Sequence, residues 1–141
     1  MKKMACASII CLLVFSVSIG WAESKIPNLV GKWKGQIEAG LLIFGEKPSD
    51  ITHRDSEYSK GETKLVLEKQ QGRIIHGYYQ TEKAKERVVA VIAHDNKTLH
   101  MVDHDGFAQF TILTPDKMQG IYVHAKPSDS EAAAVIFVRE K

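Results

Sequence analysis

His100, Asp103, His104 and Asp105 crowd into one short stretch, "HMVDHD", and all four carry donor types that bind metals. On a strand, however, His100 and Asp103 have opposite parity and face opposite sides, whereas a zinc site needs ligands that converge tetrahedrally. The group reads as exposed turn histidines, and no metal is expected. His76 and His124 each offer one imidazole of the kind that ligates a haem iron, but a single histidine is not a site, and no cofactor is expected. The serines cluster in turn-rich stretches and no Gly-x-Ser-x-Gly elbow is present, so no nucleophile with its base emerges and no enzyme is expected. Tyr79, Met101, Asp103 and Tyr122 are more informative. If they share an interior with Gly77 and Leu99, they enclose an apolar, aromatic space with a few polar handles, as ligand pockets do. The alternative is that these aromatic side chains simply pack.

The elements that must position them are short alternating runs broken by turn residues, an all-β pattern. After a first run at 30–38 and a long connection at 39–62, the runs come quickly: "TKLVLEK", "RIIHGYYQT", "RVVAVIAH", "TLHMVDH", "FAQFTIL", "MQGIYVHA" and "AAAVIFVRE". Asp105-Gly106 suits a tight primed hairpin turn with positive φ at both residues. No segment sustains a helical period, so no major helix is expected after residue 22. About eight strands joined by short turns predict an up-and-down antiparallel barrel, whose closure removes both edges and whose interior admits side chains or one small ligand. A two-sheet sandwich is the competing arrangement.

Residues 1–22 read as a secretory signal peptide: Lys2 and Lys3, an apolar run, then Gly20 and Ala22 before Glu23. The run is shorter than the roughly 20 residues of a membrane span and no later stretch approaches that length. The expectation is one soluble domain over 23–141, periplasmic or secreted, with no membrane contact after cleavage near Ala22. Both cysteines, Cys6 and Cys11, leave with the leader, which excludes a disulfide, a thiolate nucleophile and a Cys-ligated metal. Without Lys2 and Lys3, the 19 basic residues fall to about 17 against 17 acidic ones. With no basic stripe, nucleic acid is not an expected partner.

Along the first run, Trp33 shares a face with Gly31, Gly35 and Ile37, so it should point inward. An up-and-down path brings Arg139 of the last run to the same end. A guanidinium over the indole would be a favourable cation–π contact, so the pair is expected to lock the closed end. With "NLVGKWKG" at the front and "VIFVRE" at the back, the chain resembles the calycin superfamily of lipocalins, avidins and their relatives. "GKWKG" is also similar to the opening of nitrobindin-like haem barrels, and "VIAHDNKTLHMVDHDG" resembles a group of exported bacterial barrels. The resemblance implies a calycin barrel. Avidins need further tryptophans to wrap biotin and only Trp33 follows the leader; lipocalins generally carry a helix after their last strand.

The same path places the 39–62 loop at the opposite end, with the turns "EKAKE", "DHDG" and "KPSDSE". That end is the expected mouth. Long loops are commonly functional, and "LLIF", residues 41–44, could fold over it as a lid or fill the barrel end. Two runs are apolar on both faces. Ala134, Ile136 and Val138 with Ile121 and Val123 form a candidate patch for a homodimer through the last strands. The expected function is an exported, non-enzymatic barrel that binds a small apolar molecule. The alternative is an interaction protein resembling exported barrel inhibitors of bacterial metalloproteases, with "ESKIPN" as a flexible arm.

Overall fold

Apolar residues at every second position let a strand bury one face and wet the other. The computed structural model describes residues 25–43, 55–81 and 85–141, and the regular structure among them is all strand. In chain order these are β1 Gly31–Ile43, β2 Asp55–Gln71, β3 Ile74–Gln80, β4 Lys85–Ile92, β5 Thr98–Val102, β6 Gly106–Thr114, β7 Lys117–Ala125 and β8 Asp129–Arg139. Each strand pairs antiparallel with the next, and β1 pairs with β8 from Trp33↔Arg139 to Ile43↔Asp129. The result is the up-and-down all-β barrel of eight strands expected from the run lengths. The β1–β8 ladder rules out an open sandwich.

Two local expectations are corrected. Residues 39–43 and 55–62 are not loop but the outer halves of β1 and β2, which pair from Gly31↔Leu67 to Ile43↔Asp55. Turn-type residues such as Gly40, Ser59 and Gly61 disguise them in the sequence; 39–43 are laddered on both sides, by β2 and β8, 55–62 pair with β1, and the cross-strand Lys60–Glu38 ion pair at 2.6 Å adds to the hold. Leu41, Leu42 and Ile43 therefore form no lid: they pair with both β2 and β8. Phe44 lies outside the described residues. Neither Asp105 nor Gly106 has positive φ, so the turn there is not of the primed type. Instead Asp103 N donates to Gly106 O at 3.3 Å, and Asp103 Oδ1 accepts from the backbone N–H groups of Asp105 and Gly106. This is an Asp-capped turn that needs no left-handed residue.

The closed end is built around Trp33, which is fully buried and donates its Nε1–H to Leu29 O at 3.0 Å. Gly31 has φ of 149° and an added Cβ would sit 3.3 Å from Arg139 Nη1; at Gly35 a Cβ would fall 2.4 Å from the Phe137 ring. The two glycines flanking Trp33 thus make room for the two side chains that β8 brings to it. Residues 26–30 cross this end. Gln70 accepts from Leu29 N and donates to Pro27 O, while Arg139 donates to Asn28 O and Val30 O. From Ile26 onward, the arm expected to be flexible is docked; Glu23 and Ser24 lie outside the described residues.

Above Trp33 the interior is filled by Leu65, Ile75, Leu99, Phe110 and Phe137, with Phe110 and Phe137 edge to face at 5.5 Å. Toward the mouth the fill changes. One ladder row runs Met101↔Ala108↔Tyr122↔Ala133↔Ala39, and three of its five side chains are small, buried alanines.

The outside is two-faced. Around β1 and β2 it carries exposed ion pairs, Lys34–Glu62 and Lys60–Glu38. Across β4 to β8 a second row runs Val89↔Val102↔Phe107↔Val123↔Ala132 and faces solvent. Ile121, Ile136 and Val138 extend it.

Candidate ligand site at the barrel mouth

The barrel holds a cavity of about 230 Å³ at the mouth. Ile37, Val135 and Phe137 form its floor, and Tyr79 and Tyr122 its walls. The Tyr79 ring stacks on Phe137 with centroids 6.2 Å apart and meets Tyr122 edge-on at the same distance. These rings belong to β3, β7 and β8, which the barrel brings together at one end. A larger recess of about 740 Å³ near Lys34, Glu62 and Lys64 lies on the charged outer face and has no such aromatic floor.

The rim is polar and mostly acidic, with Glu86, Asp103, Glu131, His124 and Lys126 lining it. Tyr122 donates its hydroxyl to Asp103 Oδ2 at 3.1 Å, while Asp103 Oδ1 is occupied by the turn it caps. Burial raises the Tyr122 phenol well above its ordinary value, and the Asp103 charge and hydrogen bond raise it further. Tyr79 is pushed up first by burial and then by Asp103. Both tyrosines are therefore neutral donors across the physiological range.

Asp105 sits beside this group with a side chain only 12% exposed; Lys126 Nζ lies 2.7 Å from its Oδ2 and the exposed His104 Nε2 3.4 Å away. Its carboxylate oxygens are inaccessible, so the Lys126 charge is what offsets their burial. His124 is held between carboxylates, with Nε2 2.7 Å from Asp129 Oδ1 and Nδ1 3.7 Å from Glu131 Oε2. Hydrogen bonds from Ser128 and then His124 keep Asp129 below the usual carboxylate range. Nε2 is thus hydrogen-bonded, and Nδ1 faces a carboxylate. Glu86 differs from its neighbours. Among the described residues it has no ion-pair or hydrogen-bond partner.

Glu86, Asp103 and Asp105 each offer a carboxylate oxygen, all within 4.8 Å of one another. Hard cations take such ligands, although Lys126 already faces Asp105. The histidines of "HMVDHD" take no part: His100 stacks outside on Phe107 at 5.9 Å, and the His104 side chain is 76% exposed.

Of the four side chains singled out in the sequence, Tyr79, Asp103 and Tyr122 line the cavity. Met101 does not. It is 1% exposed and belongs to the packed core, although it shares a ladder row with Tyr122, which lines the cavity. Glu86 and Glu131 were not anticipated, yet each has the parity of the inward residues that follow it, Val88 and Ala90 or Ala133 and Val135. At the other end Arg139 and Trp33 are in contact, with the guanidinium carbon 4.5 Å from the ring centroid.

No protein-family model matches this sequence and no curated protein does. Among solved structures, the chain is similar to the S-type phycobiliprotein lyase CPES from Guillardia theta. The identity is 14% and the TM-score 0.38, over 79% of this chain and 88% of that one.

Proposed function

We propose that this protein is an exported, non-enzymatic barrel that binds one small molecule at its mouth. The observation that carries the reading is the cavity itself: an aromatic and aliphatic floor of Phe137, Val135 and Ile37 beneath convergent polar groups, the composition of small-molecule sites. Export rests on the leader at 1–22. The interaction reading is weakened because the arm from Ile26 is tied down by Gln70 and Arg139.

The proposal includes a homodimer across the uncharged outer rows of β4 to β8, because charge-depleted, apolar patches are typical of interface centres. Native mass spectrometry of protein gently purified from its own host tests the reading. A discrete extra mass lost on denaturation is expected, and Tyr79→Ala and Tyr122→Ala should each weaken its retention. A clean apo mass, with no small molecule retained from a metabolite extract, would sink it.

A further inference from the structure

The charges around the mouth do not cancel, and the imbalance bears on the ligand. Lys126 lies against Asp105, and His124 sits between Asp129 and Glu131. Asp103 is satisfied only by neutral dipoles, the Tyr122 hydroxyl and two backbone N–H groups. Glu86, half-buried on the rim, has no partner at all among the described residues. Two carboxylates thus face one cavity without a cation of their own, in a setting where burial makes unmatched charge costly. A second feature points the same way. Tyr79, Tyr122 and Phe137 cluster as aromatic faces and edges around the same space, and the negative faces of such rings attract cations, as in cages for ammonium groups. The field is felt by the tyrosines too: Asp103, Glu86 and Glu131 all raise the Tyr122 phenol.

Resting on the cavity being a ligand site, we infer that its occupant is a small organic ammonium ion, with its charged head against Glu86 and Asp103 and its apolar body over Phe137 and Tyr79. A volume of 230 Å³ is nearly eight water volumes at roughly 30 Å³ each, enough for about ten non-hydrogen atoms. An anion would be repelled by the rim, and a neutral ligand would leave both carboxylates uncompensated.

The test is isothermal titration calorimetry at pH 7 with three probes of one shape: phenethylammonium, 2-phenylethanol and phenylacetate. Phenethylammonium should bind at least about tenfold more tightly than the alcohol, the gain of one charge-assisted hydrogen bond, with phenylacetate weakest. Glu86→Gln should remove most of that preference, and Lys126→Gln should enlarge it. If the alcohol binds as well as the ammonium, or phenylacetate binds best, the charge assignment falls while the cavity remains a ligand site. Calcium chloride alone binding more tightly than phenethylammonium and displacing it would overturn the organic cation in favour of a metal. Binding of none of the probes overturns both the charge assignment and the cavity reading.

Discussion

The Arg139 guanidinium lies over the Trp33 ring at 4.5 Å while donating hydrogen bonds to Val30 O, Asn28 O and Pro115 O. One side chain therefore ties together the segment before β1, the β6–β7 turn and the end of β8. Its planar fork serves several acceptors at once, which an ammonium on a flexible stem does not reproduce. Arg139→Ala should lower stability by about 2 to 4 kcal/mol, the sum of a buried cation–π contact and the lost hydrogen bonds, and Arg139→Lys should recover only part of it. Urea denaturation followed by Trp33 fluorescence checks both. An Arg139→Lys variant as stable as the parent would show that charge, and not the fork, closes the barrel.

The phenols of Tyr79 and Tyr122 are raised above the ordinary 10.0. An unfolded chain releases these protons near pH 10 while the folded chain keeps them. Their stabilising contribution is therefore complete below pH 10 and declines as the pH rises, by about 1.4 kcal/mol per unit for each tyrosine. Chemical denaturation between pH 9 and 11.5 should show this decline, and Tyr79→Phe or Tyr122→Phe should each flatten it. An unchanged slope in both variants would contradict the burial of these hydroxyls.

The barrel end that holds Trp33 was legible because two simple rules decide it: parity along β1 and β8, and the alternation of ends in an up-and-down path. The mouth was only partly so. Tyr79, Asp103 and Tyr122 follow from the same parity, but Met101 does as well, and it lies in the packed core. Depth along the axis depends on the stagger of eight strands, which no single run reports. Glu86 and Glu131 were hidden for another reason. They stand beside lysine-, serine- and proline-rich turns, where a charge reads as solvated, although the period of two carries them inward. The outer halves of β1 and β2 were missed because long-range pairing outweighs their turn-like composition.

Asp95 caps the turn between β4 and β5, accepting from Lys97 N, Thr98 N and the Thr98 hydroxyl. The Thr98 hydroxyl, then the backbone bonds, depress its carboxyl from 3.8 to about 2. A depressed carboxyl stabilises the fold above its unfolded value, and that stability is lost as pH falls through the folded one. Asp95→Asn should therefore melt below the parent at pH 6, and the gap should close between pH 4 and pH 2. A gap that persists at pH 2 would mean that the residue acts through shape and not charge.

The outer row Val89, Val102, Phe107 and Val123 spans strands that lie about 4.8 Å apart. With Ile121 beside it, 54% exposed, the row forms a contiguous apolar stripe of the kind that interfaces use. A second copy presenting the same face would bury it without desolvating any charge, as a two-fold interface allows. Sedimentation velocity at micromolar concentration should give a dimer, and Ile121→Glu should dissociate it, because each protomer would then carry an unpaired carboxylate into the contact. Stability of the monomer should hardly change, since Ile121 points away from the core. A monomeric parent would remove the dimer and leave the cavity untouched, as it is lined by one chain's β1, β2, β3, β4, β7 and β8.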